Sequence, residues 1–196
     1  MIFAIQPNHY TKNPSEMTGT SVFDPVLTEL MYKWFSSPGA NILDPFAGGS
    51  VRGIVAGKLG RNYTGIDLAA DQIEENKKQA KELLTDHIPN WVVGDSSEIE
   101  FLVDKNKYDM LFTCPPYYDL EVYSDDLNDL SNMSTEDFNK MYREIIIKSC
   151  SLLEENRFAG IVVGEVRDKA TSGYLDFIGT TVQAFRDAGL DYYNEL

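Results

Sequence analysis

The chain has 196 residues, with 17 Lys+Arg against 31 Asp+Glu and a formal net charge of −14. Apolar residues make up 43% and charged residues 24%, which predicts a buried core and excludes low-complexity disorder, collagen and coiled coil. The acidity argues against a generic nucleic-acid coat, and no apolar run approaches the roughly 18 residues of a membrane span.

The start, Met1 to Pro7, lacks a basic flank and a long apolar stretch, so no signal peptide is expected. Two cysteines, Cys114 and Cys150, cannot form a disulfide framework and fit a reducing cytoplasm. His9 and His87 stand apart without metal-ligand spacing, so no metal site is expected. Acidity rises along the chain: 8 basic and 12 acidic residues in 1–98, then 9 and 19 in 99–196. Residues 119–137 hold seven acids and no Lys or Arg. They read as a solvated loop, and Tyr123 with the acids of 119–129 as a mobile flap over a site.

Residues 24–36 place Val26, Leu27, Leu30, Met31, Trp34 and Phe35 at helical spacing. Asn41-Ile42-Leu43 is a short strand ending at Asp44-Pro45, and 50–59 a helix. Tyr63 to Ile66 is a second strand ending at Asp67, followed by a polar helix over 70–85. Trp91-Val92-Val93 is a third strand, closed by Gly94-Asp95-Ser96. Tyr108 to Thr113 is a fourth, running into Cys114-Pro115-Pro116-Tyr117. Ser134 caps a helix that continues to about Glu154. Cys150 lies on its apolar face and reads as core. Phe158 to Val163 is a fifth strand, 174–188 a helix, and Leu190 begins a sixth strand. Alternation of this kind predicts a mostly parallel sheet with helices on both faces, in one domain over 1–196. That domain divides into an N-terminal segment and helix (1–36) and an αβ core (37–196). A terminal strand would leave an open sheet edge, which a second copy or another chain could cover.

In open α/β sheets, ligands bind beyond the carboxyl ends of the strands. Asp44, Asp67, Asp95 and Cys114 each follow a strand there. In Asp44-Pro45-Phe46-Ala47-Gly48-Gly49-Ser50, glycines between strand and helix let a ligand approach the backbone. The dinucleotide pattern fails at Ser50, and the P-loop pattern fails at Arg52 and Leu59. Asp67 suits two ribose hydroxyls or the cap of the next helix. Asp95 suits an adenine amine or a turn. Together they fit adenine and ribose without phosphate, and S-adenosylmethionine is the candidate, its carboxylate meeting the helix start at Gly49-Ser50. Two prolines after a buried strand fix φ and remove two donors, leaving acceptor carbonyls beside an aromatic ring. Acceptors at a base amine free its delocalised lone pair, and Tyr117 can stack on an extruded base.

The pairing of Asp44–Ser50 with Cys114-Pro115-Pro116-Tyr117 resembles the amino-group (adenine or cytosine) DNA methyltransferases. The run from Thr113 to Ser124 resembles the phage and prophage modification methylases. The resemblance spans residues 20–190 and implies a class I S-adenosylmethionine-dependent methyltransferase fold. It maps the adenosyl contacts onto Asp67 and Asp95, with Leu68 and Ser96 beside them. It maps the methionine side onto Asp44, Phe46 and Gly48 within the loop Asp44–Ser50 (Pro45, Ala47, Gly49), and an N-terminal cofactor segment onto Thr20 to Pro25, Phe23 included. In many relatives with Ser-Pro-Pro-Tyr that segment lies towards the C-terminus, so the order here looks permuted. Cys114, Pro115, Pro116 and Tyr117 become the catalytic loop. Tyr118, Tyr123, Arg167 and Lys169 become substrate contacts, with DNA as partner. Residue 114 departs from the usual Asp, Asn or Ser, and a seventh strand is missing. Two alternatives stay open: an RNA or other amine methyltransferase, and an inactive subunit that docks on a partner.

Overall fold

A computed structural model describes residues 2–3, 22–105, 108–118, 129–169 and 171–195. Six strands form one sheet: β1 (Ile2–Phe3), β2 (Asn41–Asp44), β3 (Asn62–Asp67), β4 (Asn90–Val93), β5 (Tyr108–Thr113) and β6 (Leu153–Val162). Their spatial order is β1-β6-β5-β2-β3-β4, and every pairing is parallel. The chain winds outward from β2 to β4, then returns to β5 on the other side of β2. That reversal opens a crevice above the ends of β2 and β5, where a doubly wound sheet binds ligands.

Alternation along β5 divides the core. Leu111 faces a layer built by α5 (Thr135–Ser151) and α6 (Phe177–Asp187). Met110 and Phe112 face α1 (Pro25–Phe35), α2 (Val51–Lys58) and α3 (Ala70–Leu83). A short α4 (Ile99–Leu102) closes a third cluster around Leu43 and Ile66. Each such fully buried side chain contributes about 1.5–3 kcal/mol of apolar transfer.

Local signals set the helix ends. Asp24 Oδ1 accepts from Val26 N (2.7 Å) and Leu27 N (3.1 Å), and Pro25 opens α1. Ser134 Oγ accepts from Asp137 N, so α5 starts at the predicted cap. Cys150 is buried, and burial pushes its thiol up to about 12, a core role. Among the apolar residues of α1, Met31 and Tyr32 are buried while Val26, Leu30 and Trp34 face outward.

Two expectations about strands are corrected. No strand runs over 190–194. Gly189, at φ +86°, ends α6, its N–H meeting Arg186 O and Leu190 N meeting Phe185 O. This left-handed cap turns the chain back and packs Leu190 on the α5–α6 layer. The sixth strand is Ile2–Phe3, paired with Ile161 and Val162 of β6. β6 also starts at Leu153, five residues before the apolar run at Phe158. Its first half is polar, yet Leu153 pairs with Tyr108, and Arg157 Nε donates to Asp109 Oδ1. Among the described residues, no helix is long and apolar enough to cross a membrane.

Candidate active site

Asp44 ends β2 and is fully buried. Its Oδ2 accepts from Arg52 Nε (2.6 Å) and Tyr63 OH (2.7 Å). Its Oδ1 accepts from Thr113 Oγ1 (2.6 Å) and Phe46 N (3.1 Å). A carboxylate offers about four acceptor positions, so these four donors fill it. The carboxylate that the resemblance maps to the methionine end of a cofactor thus holds the protein's own loop. Burial opposes the charge on Arg52, but Asp44 beside it wins and holds the guanidinium above its ordinary range. The same burial, with Asp44 adding to it, keeps the Tyr63 phenol neutral.

The turn after β2 is shaped by its neighbours. Ala47 N donates to Ile66 O, and Gly48 N to Asp67 Oδ2 (2.8 Å). Asn76 Nδ2 donates to Gly48 O (2.7 Å), while Gln72 Nε2 fixes Asn76 Oδ1. Gly48 adopts φ +49°, a left-handed conformation that favours glycine. A Cβ at Gly49 would meet nothing within 4 Å, so the outer face of the turn is open. Ser50 Oγ donates to Gln79 Oε1 (2.5 Å) and makes no cap bond to α2. Pro45 is buried and accepts from Ser96 Oγ at its carbonyl, joining the β2 and β4 loops.

Asp67 ends β3 and receives two backbone donors, Gly48 N and Ala69 N (2.9 Å). Burial raises its carboxyl above the ordinary 3.8 in spite of those bonds. Leu68 beside it is half-buried. Asp95 Oδ1 accepts from Ser97 N and caps a 3-10 turn over Ser96–Glu98. Phe23, in the described part of the N-terminal segment, lies edge-on to Phe112 at 5.9 Å. The Arg52 guanidinium sits 4.6 Å over its ring. Phe46 stacks on Tyr142 at 6.1 Å and 26°.

The Cys114-Pro115-Pro116-Tyr117 loop leaves β5 with Pro115 buried and the other three half-buried. The Tyr117 ring is edge-on to Phe177 at 5.6 Å, its hydroxyl directed at Val162 O (3.4 Å). Tyr118, read from the sequence as a substrate contact, lies in the core. Its φ of +51° sends the ring inward, 4.2 Å from Phe138 and 4.9 Å from Phe177, and its hydroxyl donates to Asn139 Oδ1 (2.8 Å). Only 4% of Tyr118 is exposed, so it has no free face for a base. Arg167 is engaged locally: it lies 4.1 Å over Tyr174 and donates to Tyr174 OH and Ser172 O. Lys169 is exposed on the same loop. Thr20, Tyr123 and residues 119–128 of the flap read over 119–129 lie outside the described residues.

The structure thus brings the Asp44–Ser50 loop, Asp67, Asp95, Ser96, Phe23 and the Cys-Pro-Pro-Tyr loop to one end of the sheet. Four residues of this assembly were not among the sequence candidates: Arg52, Tyr63, Asn76 and Thr113. The available signal was an arginine in the first turn of the helix that follows a buried aspartate.

The crossing order, the parallel sheet and a glycine turn at its switch point define a class I S-adenosylmethionine-dependent methyltransferase fold. Solved structures agree. A methyltransferase from Pyrococcus furiosus is 14% identical, with 89% of this chain and 76% of that chain covered at TM-score 0.62. A TehB-like SAM-dependent methyltransferase from Corynebacterium glutamicum is 19% identical (90% and 77%, TM-score 0.58). An rRNA methylase from Streptococcus thermophilus is 10% identical (88% and 83%, TM-score 0.55). A family model described as DNA methylase, N6_N4_Mtase, matches residues 4–79. Among curated proteins, none matches significantly.

Proposed function

We propose that this protein transfers a methyl group from S-adenosylmethionine to the exocyclic amine of adenine or cytosine in DNA. The observation that carries this reading is one juxtaposition. The glycine turn after β2 and the Cys-Pro-Pro-Tyr loop after β5 leave neighbouring parallel strands, and Thr113 bonds to Asp44 between them. The DNA methylase family match supports the substrate class.

The residues fit the cofactor. Asp67 has acceptor positions beyond its two N–H donors, suited to two ribose hydroxyls. Half-buried Asp95 suits the adenine amine, with Leu68 and Ser96 beside the two acids. The open face at Gly49 and the start of α2 suit a carboxylate. When bound, the cofactor supplies an electrophilic methyl on a sulfonium.

The chain's own residues manage the amine. The Pro115 carbonyl accepts a hydrogen bond from one of its N–H groups, drawing the nitrogen toward a tetrahedral form with its lone pair exposed. Neither proline offers an N–H that would compete. Cys114 sulfur is a weak acceptor, so a backbone carbonyl accepts the hydrogen bond of the second N–H. As the N–C bond forms and the S–C bond breaks, the methylated nitrogen releases one proton to water. The Tyr117 ring leaves Phe177 and stacks on the extruded base. Positioning of amine against methyl then accounts for most of the rate. Arg167 and Lys169 are the proposed phosphate contacts.

The test is transfer of radiolabelled methyl groups to unmethylated DNA and RNA in parallel. Label in DNA alone supports the proposal. Label in RNA alone moves the substrate to RNA, and none in either, from a protein that binds the cofactor, favours a docking subunit.

A further inference from the structure

Resting on that cofactor reading, we propose that Arg52 is the positioning residue of the cofactor turn. Three observations carry it. Arg52 is only 4% exposed, and its Nε bonds to an Asp44 carboxylate already filled by protein donors. Its Nη2 donates to the carbonyls of Phe46 (2.6 Å) and Ala47 (3.1 Å). Its guanidinium lies 4.6 Å over Phe23. One planar cation therefore ties together the N-terminal segment, the end of β2, the turn and the first turn of α2.

The consequence is electrostatic. Two carbonyl oxygens of the turn point at the cation and so are withheld from the ligand side. A cofactor carboxylate meets the open face at Gly49 and the N-terminal end of α2 instead of those oxygens. Asp44 keeps Arg52 charged and oriented, and does so without touching the ligand. A lysine cannot replace this arrangement, because its compact ammonium lacks the planar fork that reaches a carboxylate and two carbonyls together.

The probe is S-adenosylhomocysteine, titrated calorimetrically onto wild type and Arg52→Lys, with thermal unfolding recorded for both. Arg52→Lys is expected to fold and to bind at least about tenfold more weakly, the scale of one lost charge-assisted hydrogen bond. In steady state, KM for the cofactor rises while KM for DNA stays put, a split that general loosening does not produce. If Arg52→Lys does not fold, the pair Asp44→Asn/Arg52→Gln leaves no buried charge alone and is expected to show the same loss. Wild-type affinity in a folded variant overturns the role of Arg52 alone. A wild-type protein that binds no S-adenosylhomocysteine overturns the cofactor reading and this role with it. Cofactor binding without methylation of any nucleic acid overturns the substrate reading and leaves Arg52 in place.

Discussion

Thr113 Oγ1 donates to Asp44 Oδ1 over 2.6 Å, and this bond between residues 69 apart in sequence joins the two loops of the site. Both residues are fully buried, so the bond is shielded from water. Thr113→Val keeps the shape and removes the donor. Loss of a hydrogen bond to a buried charge costs about 1.5–3 kcal/mol, and urea unfolding is expected to show it. An unchanged midpoint would mean that the loops are held together by packing alone.

Gly49 separates fold from ligand. A Cβ there meets no protein atom and φ is ordinary. Gly49→Ala is expected to change stability by no more than about 0.5 kcal/mol, as for a neutral surface substitution. Its methyl would stand on the face assigned to the cofactor, so affinity for S-adenosylhomocysteine is expected to drop at least about tenfold. Equal affinity in the two proteins would move the ligand off this turn.

The adjacent tyrosines should divide their roles. Tyr117→Ala removes the ring assigned to base stacking, which is worth about 1–3 kcal/mol per base. Methylation should collapse while cofactor binding stays near normal. Tyr118→Ala empties a core position and should cost about 3–5 kcal/mol. Tyr118→Phe keeps the ring packing and should methylate normally. Normal methylation by Tyr117→Ala would remove that residue from the catalytic loop.

Asp67 gives a pH signature. Its folded pKa lies above the ordinary 3.8 because burial disfavours the charge. The folded state therefore holds that proton more tightly than the unfolded state does. The stability this group contributes is present below the ordinary carboxylate value and lost as pH rises through the raised one. Wild type should thus lose stability relative to Asp67→Asn across that window, measured by denaturant unfolding at a series of pH values. A difference that stays constant with pH would show that Asp67 titrates normally.

Much of this site is legible in the sequence because its signals are local. The strands before Asp44, Asp67, Asp95 and Cys114 begin and end within a residue of their apolar runs. A parallel sheet then brings those ends together. What escapes the sequence is set by tertiary contacts or single backbone conformations. Arg52 pairs with Asp44 across a turn whose path depends on Asn76 and Asp67. Tyr118 leaves the catalytic loop for the core through one left-handed φ. The polar start of β6 is held by β5, which periodicity does not register. Leu190 reads as strand, but the cap at Gly189 folds it back.

The measurement that tests the central claim most directly is nucleoside mass spectrometry. Unmethylated DNA is incubated with the protein and deuterated-methyl S-adenosylmethionine, then digested to nucleosides. Labelled N6-methyladenine or N4-methylcytosine, lost with Tyr117→Ala, is the predicted result and names the target base. Label on a ring carbon, or DNA left unlabelled by a protein that binds the cofactor, would contradict the account.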